Sequence, residues 1–290
     1  MTVLVEANHV SKQYKIASSG RNNAIENINF QVKPGQIVGL LGHNGAGKST
    51  LIKSLLGAHR YRGEIKINGL EPIAHRTEVM KGLSYISDTS TLPNWMTVKQ
   101  ILKYTAGVNP CFKLASAERL LAETDIQLRS RVGGLSKGMK VQLHLAIIIS
   151  TDVNVLILDE PTLGLDLIYR DVFYRHLMNW FRESGKALII ASHEVDEIEK
   201  LLTDVLILKH GRLVLNDSIA ALQQNYTLVE AANEYSQQIK SAEPIYSRPG
   251  LTSTEWLFEE KNFNLSDEWV TRKKASLSDI FLAFQQGEGQ

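Results

Sequence analysis

Three short apolar runs organise the chain. Gln36-IVGLL-Gly42, Asn154-VLIL-Asp159 and Lys186-ALIIA-Ser192 are unbroken by polar positions, and runs of this length without alternation suit central parallel strands buried on both faces. Helical spacing flanks them. After the first run, Leu51, Ile52, Leu55 and Leu56 share one helix face and Gly57 is a stop. After the third, Val195, Ile198, Leu201 and Leu202 recur at helical spacing behind Glu194, Asp196 and Glu197, carboxylates that favour a first turn. Strand and helix alternate, which predicts an α/β fold with a mainly parallel core sheet. Residues 3–7, 28–32 and Glu64-IKIN-Gly69 read as short strands, an antiparallel accompaniment to that core. From about 88 to 150 the pattern is mostly helical, with breaks at Pro93 and Pro110, and reads as a helical insertion. The expected division is a main domain over 1–215 and an accessory region over 216–290, whose residues 241–290 carry 5 basic against 8 acidic side chains together with Trp256 and Trp269.

Composition narrows the classes. With 32 Lys and Arg against 31 Asp and Glu, the net charge of the 290 residues is +1, which excludes a general electrostatic attraction to nucleic acid. Hydrophobic residues at 43% and charged residues at 22% fit a globular core rather than disorder. Cys111, the single cysteine, forms no internal disulfide and supplies no cysteine metal cluster, as suits a reducing setting. The first residues show no secretory pattern, because Glu6 and His9 interrupt them. The most apolar stretch, 141–158, is broken by Gln142, His144, Asp152 and Asn154 and falls short of a membrane span. The chain is therefore expected to be soluble, with any membrane role exercised through a partner.

Chemistry concentrates at the carboxyl ends of the three apolar runs, the edge at which open α/β sheets bind ligands. Gly42-HNGA-Gly47-Lys48-Ser49 matches G-x-x-x-x-G-K-S. In that motif backbone N–H groups cradle phosphates, the lysine reaches the β- and γ-phosphates and the hydroxyl binds Mg²⁺. A strand before it and a helix after it place an anion at a helix N-terminus. Asp159 and Glu160 close the second run, where the first suits Mg²⁺ and the second an attacking water; the plainer alternative is a pair of carboxylates capping the next turn. Ser192 and His193 close the third, and a lone histidine there is otherwise a capping or packed residue.

The stretch Leu135-Ser-Lys-Gly-Met139 precedes the Asp–Glu pair by about twenty residues, and Pro161-Thr-Leu-Gly-Leu-Asp166 and Ser192-His193 follow it. This ordered set resembles the nucleotide-binding domain of ABC transporters over about residues 3–215. The resemblance implies an ATP- and Mg²⁺-dependent ATPase working as a head-to-tail homodimer or heterodimer, on the cytoplasmic face of a bacterial membrane, with a separate integral permease and no nucleic acid. Lys48 and Glu160 would be catalytic, with His193 as the switch histidine at the γ-phosphate. Gly42, Asn44, Gly45, Gly47, Lys48, Ser49 and Thr50 would hold phosphate, and Tyr14 would stack on adenine, its alternative being strand packing. Ser136 and Gly138 would reach the partner's nucleotide in trans, Ser136 also being a natural N-cap for a buried helix. Asp166 would sit at the dimer interface, and Ser49, Asp159 and Asp88 would face the metal.

Two departures qualify the resemblance. Asp88 stands where the family's Q-loop carries glutamine, leaving open an approach to Mg²⁺ or a contact with the membrane subunit. Lys137 and Met139 replace the usual signature Gly and Gln, and Lys137 is compatible with added positive charge near phosphate or with a solvent-facing side chain. These departures and the ending Ser276-LSDIFLAF resemble exporters of the multidrug and antibiotic-resistance type more than importers. Two other readings stay open, a soluble ABC ATPase acting on nucleic acid or ribosomes and a membrane-signalling module without cargo. An apolar patch of Leu92, Trp95 and Met96 would favour a docked permease.

Overall fold

The computed structural model describes residues 2–16, 20–87, 92–163, 165–183, 185–263 and 270–286. In chain order the strands are β1 (Val5–Ile16), β2 (Gly20–Val32), β3 (Ile37–Leu41), β4 (Arg62–Ile67), β5 (Leu83–Ile86), β6 (Val155–Asp159), β7 (Ala187–Ser192), β8 (Asp204–Lys209), β9 (Arg212–Ser218), β10 (Tyr226–Ala232), β11 (Tyr246–Pro249), β12 (Ser253–Glu259) and β13 (Val270–Lys274). The helices are α1 (Lys48–Leu55), α2 (Arg76–Gly82), α3 (Val98–Val108), α4 (Leu114–Ala122), α5 (Lys137–Ile149), α6 (Leu167–Phe181), α7 (Val195–Ile198), α8 (Ile219–Asn225), α9 (Ser236–Lys240) and α10 (Leu277–Gln286). The chain forms two compact units. One takes Met1–Lys12, Asn27–Ile37 and Ser49–Ala191, the other Gln13–Glu26, Val38–Lys48 and Ser192–Gln290.

In the first unit β5, β6 and β7 run parallel, with Leu83 opposite Val155 and Val155 opposite Ala187. Every residue of β6 and β7 is buried, which is why these runs lack the alternation of a half-exposed strand. Beside them β1 pairs antiparallel with β4, Val5 opposite Ile67, with a register shift between Asn8 and Ser11. Helices α3, α4 and α5 close a second apolar core around Ile101, Leu102, Leu121, Val132 and Leu143. Thr97 starts α3 with a capping box: its hydroxyl accepts from the Gln100 N–H, and the Gln100 side chain accepts from the Thr97 N–H. α3 stops before Pro110, with Asn109 extended as a residue preceding proline prefers.

In the second unit β3 and β8 are parallel, Val38 opposite Asp204, and β9 folds back antiparallel on β8. The β8–β9 hairpin turns at His210 and Gly211, both at positive φ, the backbone of a two-residue primed turn. A four-stranded antiparallel sheet of order β11-β12-β10-β13 follows, packed around Val229, Ile239, Trp256 and Phe258. Helix α10 returns to the region of α7. The Leu277 N–H donates to Glu199 Oε1 at 3.0 Å, the Ser278 hydroxyl to Asp196, and Gln285 Nε2 to the Leu208 carbonyl at 2.9 Å. The helix expected over 195–202 resolves into a short α7 followed by a 3-10 turn over Glu199–Leu201, because both forms repeat side chains every three to four residues.

The capping box makes Thr97→Ala cost about 1 kcal/mol, which for a chain of this size lowers the melting temperature by roughly 2 °C in a thermal scan. His144 on α5 generates a second expectation, because burial pushes its pKa down from 6.5 to about 4. The unfolded chain takes up this proton near pH 6.5 and the folded chain only near pH 4, so the contribution is complete above 6.5 and is lost as pH falls through that window. Between pH 7.5 and 5.0, urea titrations should show the parent losing on the order of 2 kcal/mol more than His144→Leu; equal losses would assign the proton elsewhere.

Candidate functional site

The second unit holds the phosphate-type loop. Leaving β3, the chain passes Gly42, where a Cβ would sit 2.7 Å from the Leu208 carbonyl oxygen, and Gly47, where one would sit 2.6 Å from the Ala24 carbonyl oxygen and 2.9 Å from Ile25. Gly45 and Gly47 also have φ of 84° and 110°, a region closed to ordinary side chains. The Gly211 N–H donates to the Ala46 carbonyl at 3.0 Å and the Glu26 N–H to the Gly211 carbonyl at 2.8 Å, so the β8–β9 hairpin and β2 fix the outer wall of the loop. Buried Lys48 curls back, its ammonium 2.6 Å from the Gly42 carbonyl oxygen and 3.5 Å from that of His43. Those carbonyls give the ammonium the oxygen environment that phosphate oxygens would give it. α1 starts at Lys48, with Ser49 and Thr50 in its first turn, and Asn44 stands exposed on the loop. His193 follows β7 and is partly exposed, and the Ser192 hydroxyl accepts from the Glu194 N–H at 3.0 Å. Tyr14 lies on β1, 37% exposed.

The first unit holds the carboxylates and the signature stretch. Asp159 ends β6 buried, with the Tyr85 hydroxyl 3.5 Å away. Glu160 has φ 49°, a left-handed conformation costing a non-glycine residue about 1–2 kcal/mol. Its N–H donates to the Ala191 carbonyl at 2.9 Å, and its carbonyl accepts from the Leu163 N–H at 3.2 Å, which closes a turn directly after it. Ser136 caps α5 by accepting from the Met139 N–H at 3.2 Å. Gly138 faces the ring of Tyr169, whose nearest atom would be 3.1 Å from a Cβ. Asp166 accepts from the Ile168 and Tyr169 N–H groups as the N-cap of α6. Within this unit Glu160, Pro161 and Leu163 share a cavity of about 270 Å³ with Lys137, Lys140 and His144.

Three features escape the sequence. The exposed Lys137 is engaged as well, its ammonium donating to the Leu163 carbonyl. Tyr169 and the strained Glu160 backbone carry no sequence mark, although Gly138 is the small residue that a close ring contact requires. Asp88, expected at the metal, lies outside the described residues. Of the apolar trio expected to form a patch, Leu92 and Met96 pack against the helical core while Trp95 is 74% exposed. Among the described residues no cluster of three or more His, Cys, Asp or Glu side chains is placed to hold a metal alone. One hydroxyl and one carboxylate nevertheless suit a hard cation that draws its remaining oxygens from phosphate and water.

A family model described as ABC transporter matches residues 25–163. The Nod factor export ATP-binding protein I of Paraburkholderia xenovorans is 31% identical over 225 residues, 75% of this chain and 72% of that protein. The xylose import ATP-binding protein XylG of Thermoanaerobacter pseudethanolicus is 29% identical over 282 residues, 91% of this chain, which spans about half (54%) of that protein. A solved structure of the ATP binding subunit of an ABC transporter aligns with a TM-score of 0.68 at 27% identity, covering 76% of this chain and 92% of that one. With the phosphate-type loop, the Asp–Glu pair and the capped signature helix all lying in the shared stretch, the chain belongs to the ABC transporter family, as one of its ATP-hydrolysing subunits.

Proposed function

We propose that this subunit energises a separate integral membrane permease, and that the transport is export. The phosphate-type loop carries the reading. Gly42 and Gly47 are dictated by backbone contacts and Gly45 by its positive φ, and the lysine lies desolvated against carbonyl oxygens, a cradle shaped for an anion. Export rests on the signature departures Lys137 and Met139 and on the ending Ser276-LSDIFLAF, the relatives including both an export and an import protein. Trp95, Tyr104 and Val108, at 74%, 63% and 62% exposure, supply apolar surface of the kind a permease segment covers. The proposed location is the cytoplasmic face of a bacterial membrane, and among the described residues no helix is long and apolar enough to cross one.

In this reading Lys48 and the loop N–H groups bind the β- and γ-phosphates of ATP, and Tyr14 stacks on the adenine. Ser49 and Asp159, and Asp88 as the resemblance implies, would hold Mg²⁺, which would supply charge neutralisation at the phosphate oxygens. Glu160 accepts a proton from the attacking water, and His193 orients at the γ-phosphate. Ser136 and Gly138 present the N-terminus of α5 to the nucleotide of a second subunit, next to Asp166, so closure of the dimer assembles the complete site. Fixed dipoles and charges lower the barrier more than any single group, because charge in phosphoryl transfer is spread over several oxygens.

Glu160→Gln should bind ATP, accumulate as an ATP-bound dimer in size-exclusion chromatography and hydrolyse at least a hundredfold more slowly than the parent; parental turnover would remove Glu160 from its role. Capture of the tagged parent from gently solubilised native membranes should recover a polytopic membrane protein in stoichiometric amount. Recovery from the soluble fraction alone would reject the permease.

A further inference from the structure

A left-handed residue persists only where its surroundings hold it, and Glu160 at φ 49° is held from two sides. On one side its N–H is bonded to the Ala191 carbonyl of β7 at 2.9 Å. On the other its carbonyl accepts the Leu163 N–H at 3.2 Å, closing the turn 160–163. At the far end of that turn the Leu163 backbone carbonyl accepts from the ammonium of Lys137, while the buried Thr162 meets the Tyr174 hydroxyl at 3.1 Å. The space between the start of α5 and the turn is the cavity of about 270 Å³, lined by Lys137, Lys140 and His144 on one wall and by Glu160, Pro161 and Leu163 on the other. Ile86 and Val141 also line it, and the Lys137 side chain reaches from the α5 wall to the carbonyl of Leu163 on the other.

The starting point of that side chain is fixed in turn. Ser136 caps α5 through the Met139 N–H, and Gly138 lies against the Tyr169 ring so closely that a Cβ would sit 3.1 Å from it. The α5 N-terminus is therefore a firm base for a tether, and Lys137 is the first residue of that helix. A glycine at this position has no side chain to make the link.

We propose that Lys137 is a positioning residue for ATP hydrolysis: by donating to the Leu163 carbonyl it holds the turn 160–163, and through that turn aims the Glu160 carboxylate at the attacking water. The proposal rests on the assignment of Glu160 as the proton acceptor. It makes the lysine act within its own subunit, on catalysis rather than on nucleotide affinity, since a small displacement of a proton acceptor slows the chemical step without touching the groups that bind phosphate.

The test is steady-state ATPase kinetics of the full chain carrying Lys137→Met, Lys137→Arg or Lys137→Gln, with ATP-dependent dimer formation measured alongside. Met keeps the length and loses the donor, so kcat should fall about tenfold with KM for ATP and dimer formation within twofold of the parent. Arg, which still donates to a carbonyl, should restore kcat to within about threefold, and Gln should lie between. Added to Glu160→Gln, the Met substitution should slow the residual turnover no further, because residues acting as one unit are not additive. Since Lys137 is exposed, all three variants should keep the parental melting temperature. A raised KM or lost dimer formation in Lys137→Met at parental kcat would place the ammonium on the nucleotide of the second subunit and overturn the proposal. Parental kinetics in Lys137→Met with a dead Glu160→Gln would overturn it while sparing Glu160, whereas an active Glu160→Gln would show that the underlying assignment had failed first.

Discussion

Between Gly47 and Ala24 there is room for hydrogen but not for carbon, since a Cβ on Gly47 would approach the Ala24 carbonyl oxygen to 2.6 Å. Much of the second unit follows from this close approach. Gly211, likewise pressed on Ala24 with 2.8 Å left for a Cβ, reaches the Ala46 carbonyl with its N–H. The loop is thus shaped from outside, by main chain belonging to β2 and to the β8–β9 hairpin, more than by bonds of its own. That shape sets where α1 begins and lets Lys48 fold inward over the Gly42 carbonyl.

The first unit solves its local problem differently. Close contacts at Gly42 and Gly47 confine the phosphate-type loop, whereas hydrogen bonds hold the turn after Glu160 beside a cavity. Sterically enforced backbone does not yield, but a bonded turn lining a cavity can change partners at modest cost. A nucleotide-driven machine needs both kinds of part: a cradle that keeps its form through the cycle and carboxylates that respond to it.

What the sequence made legible follows from the same physics. The buried runs of β3, β6 and β7 were readable because strands covered on both faces leave no polar break, and the motif order sufficed to place the chain in its family. β1 and β2 run well past the expected 3–7 and 28–32. Their extensions are bonded through polar side chains, Gln13 to Asn23 at 2.6 Å and His9 to Asn27 and Asn29 at 2.8 Å, residue types that a pattern search assigns to loops. The sheet over 226–274 showed only as a shift in composition, because β13 buries Val270 alone and β10 lacks strict alternation. No sequence rule yields the Glu160 backbone, since positive φ is announced by glycine and not by glutamate. Nor does any rule pair Lys137 with a carbonyl 26 residues away.

The order in which parts of this loop leave a ribosome differs from the order in which they are needed. Ala46 emerges early, but the amide that caps its carbonyl belongs to Gly211, roughly 165 residues later, a wait on the order of 10–30 s at ordinary elongation rates. β3 waits about as long for β8, its parallel neighbour in the second unit. Until then the segment that will cradle phosphate is framed by β2 alone, and its complete frame arrives late. An incomplete chain stopped before the β8–β9 hairpin would hold the whole phosphate motif in its sequence and only the β2 side of its outer wall.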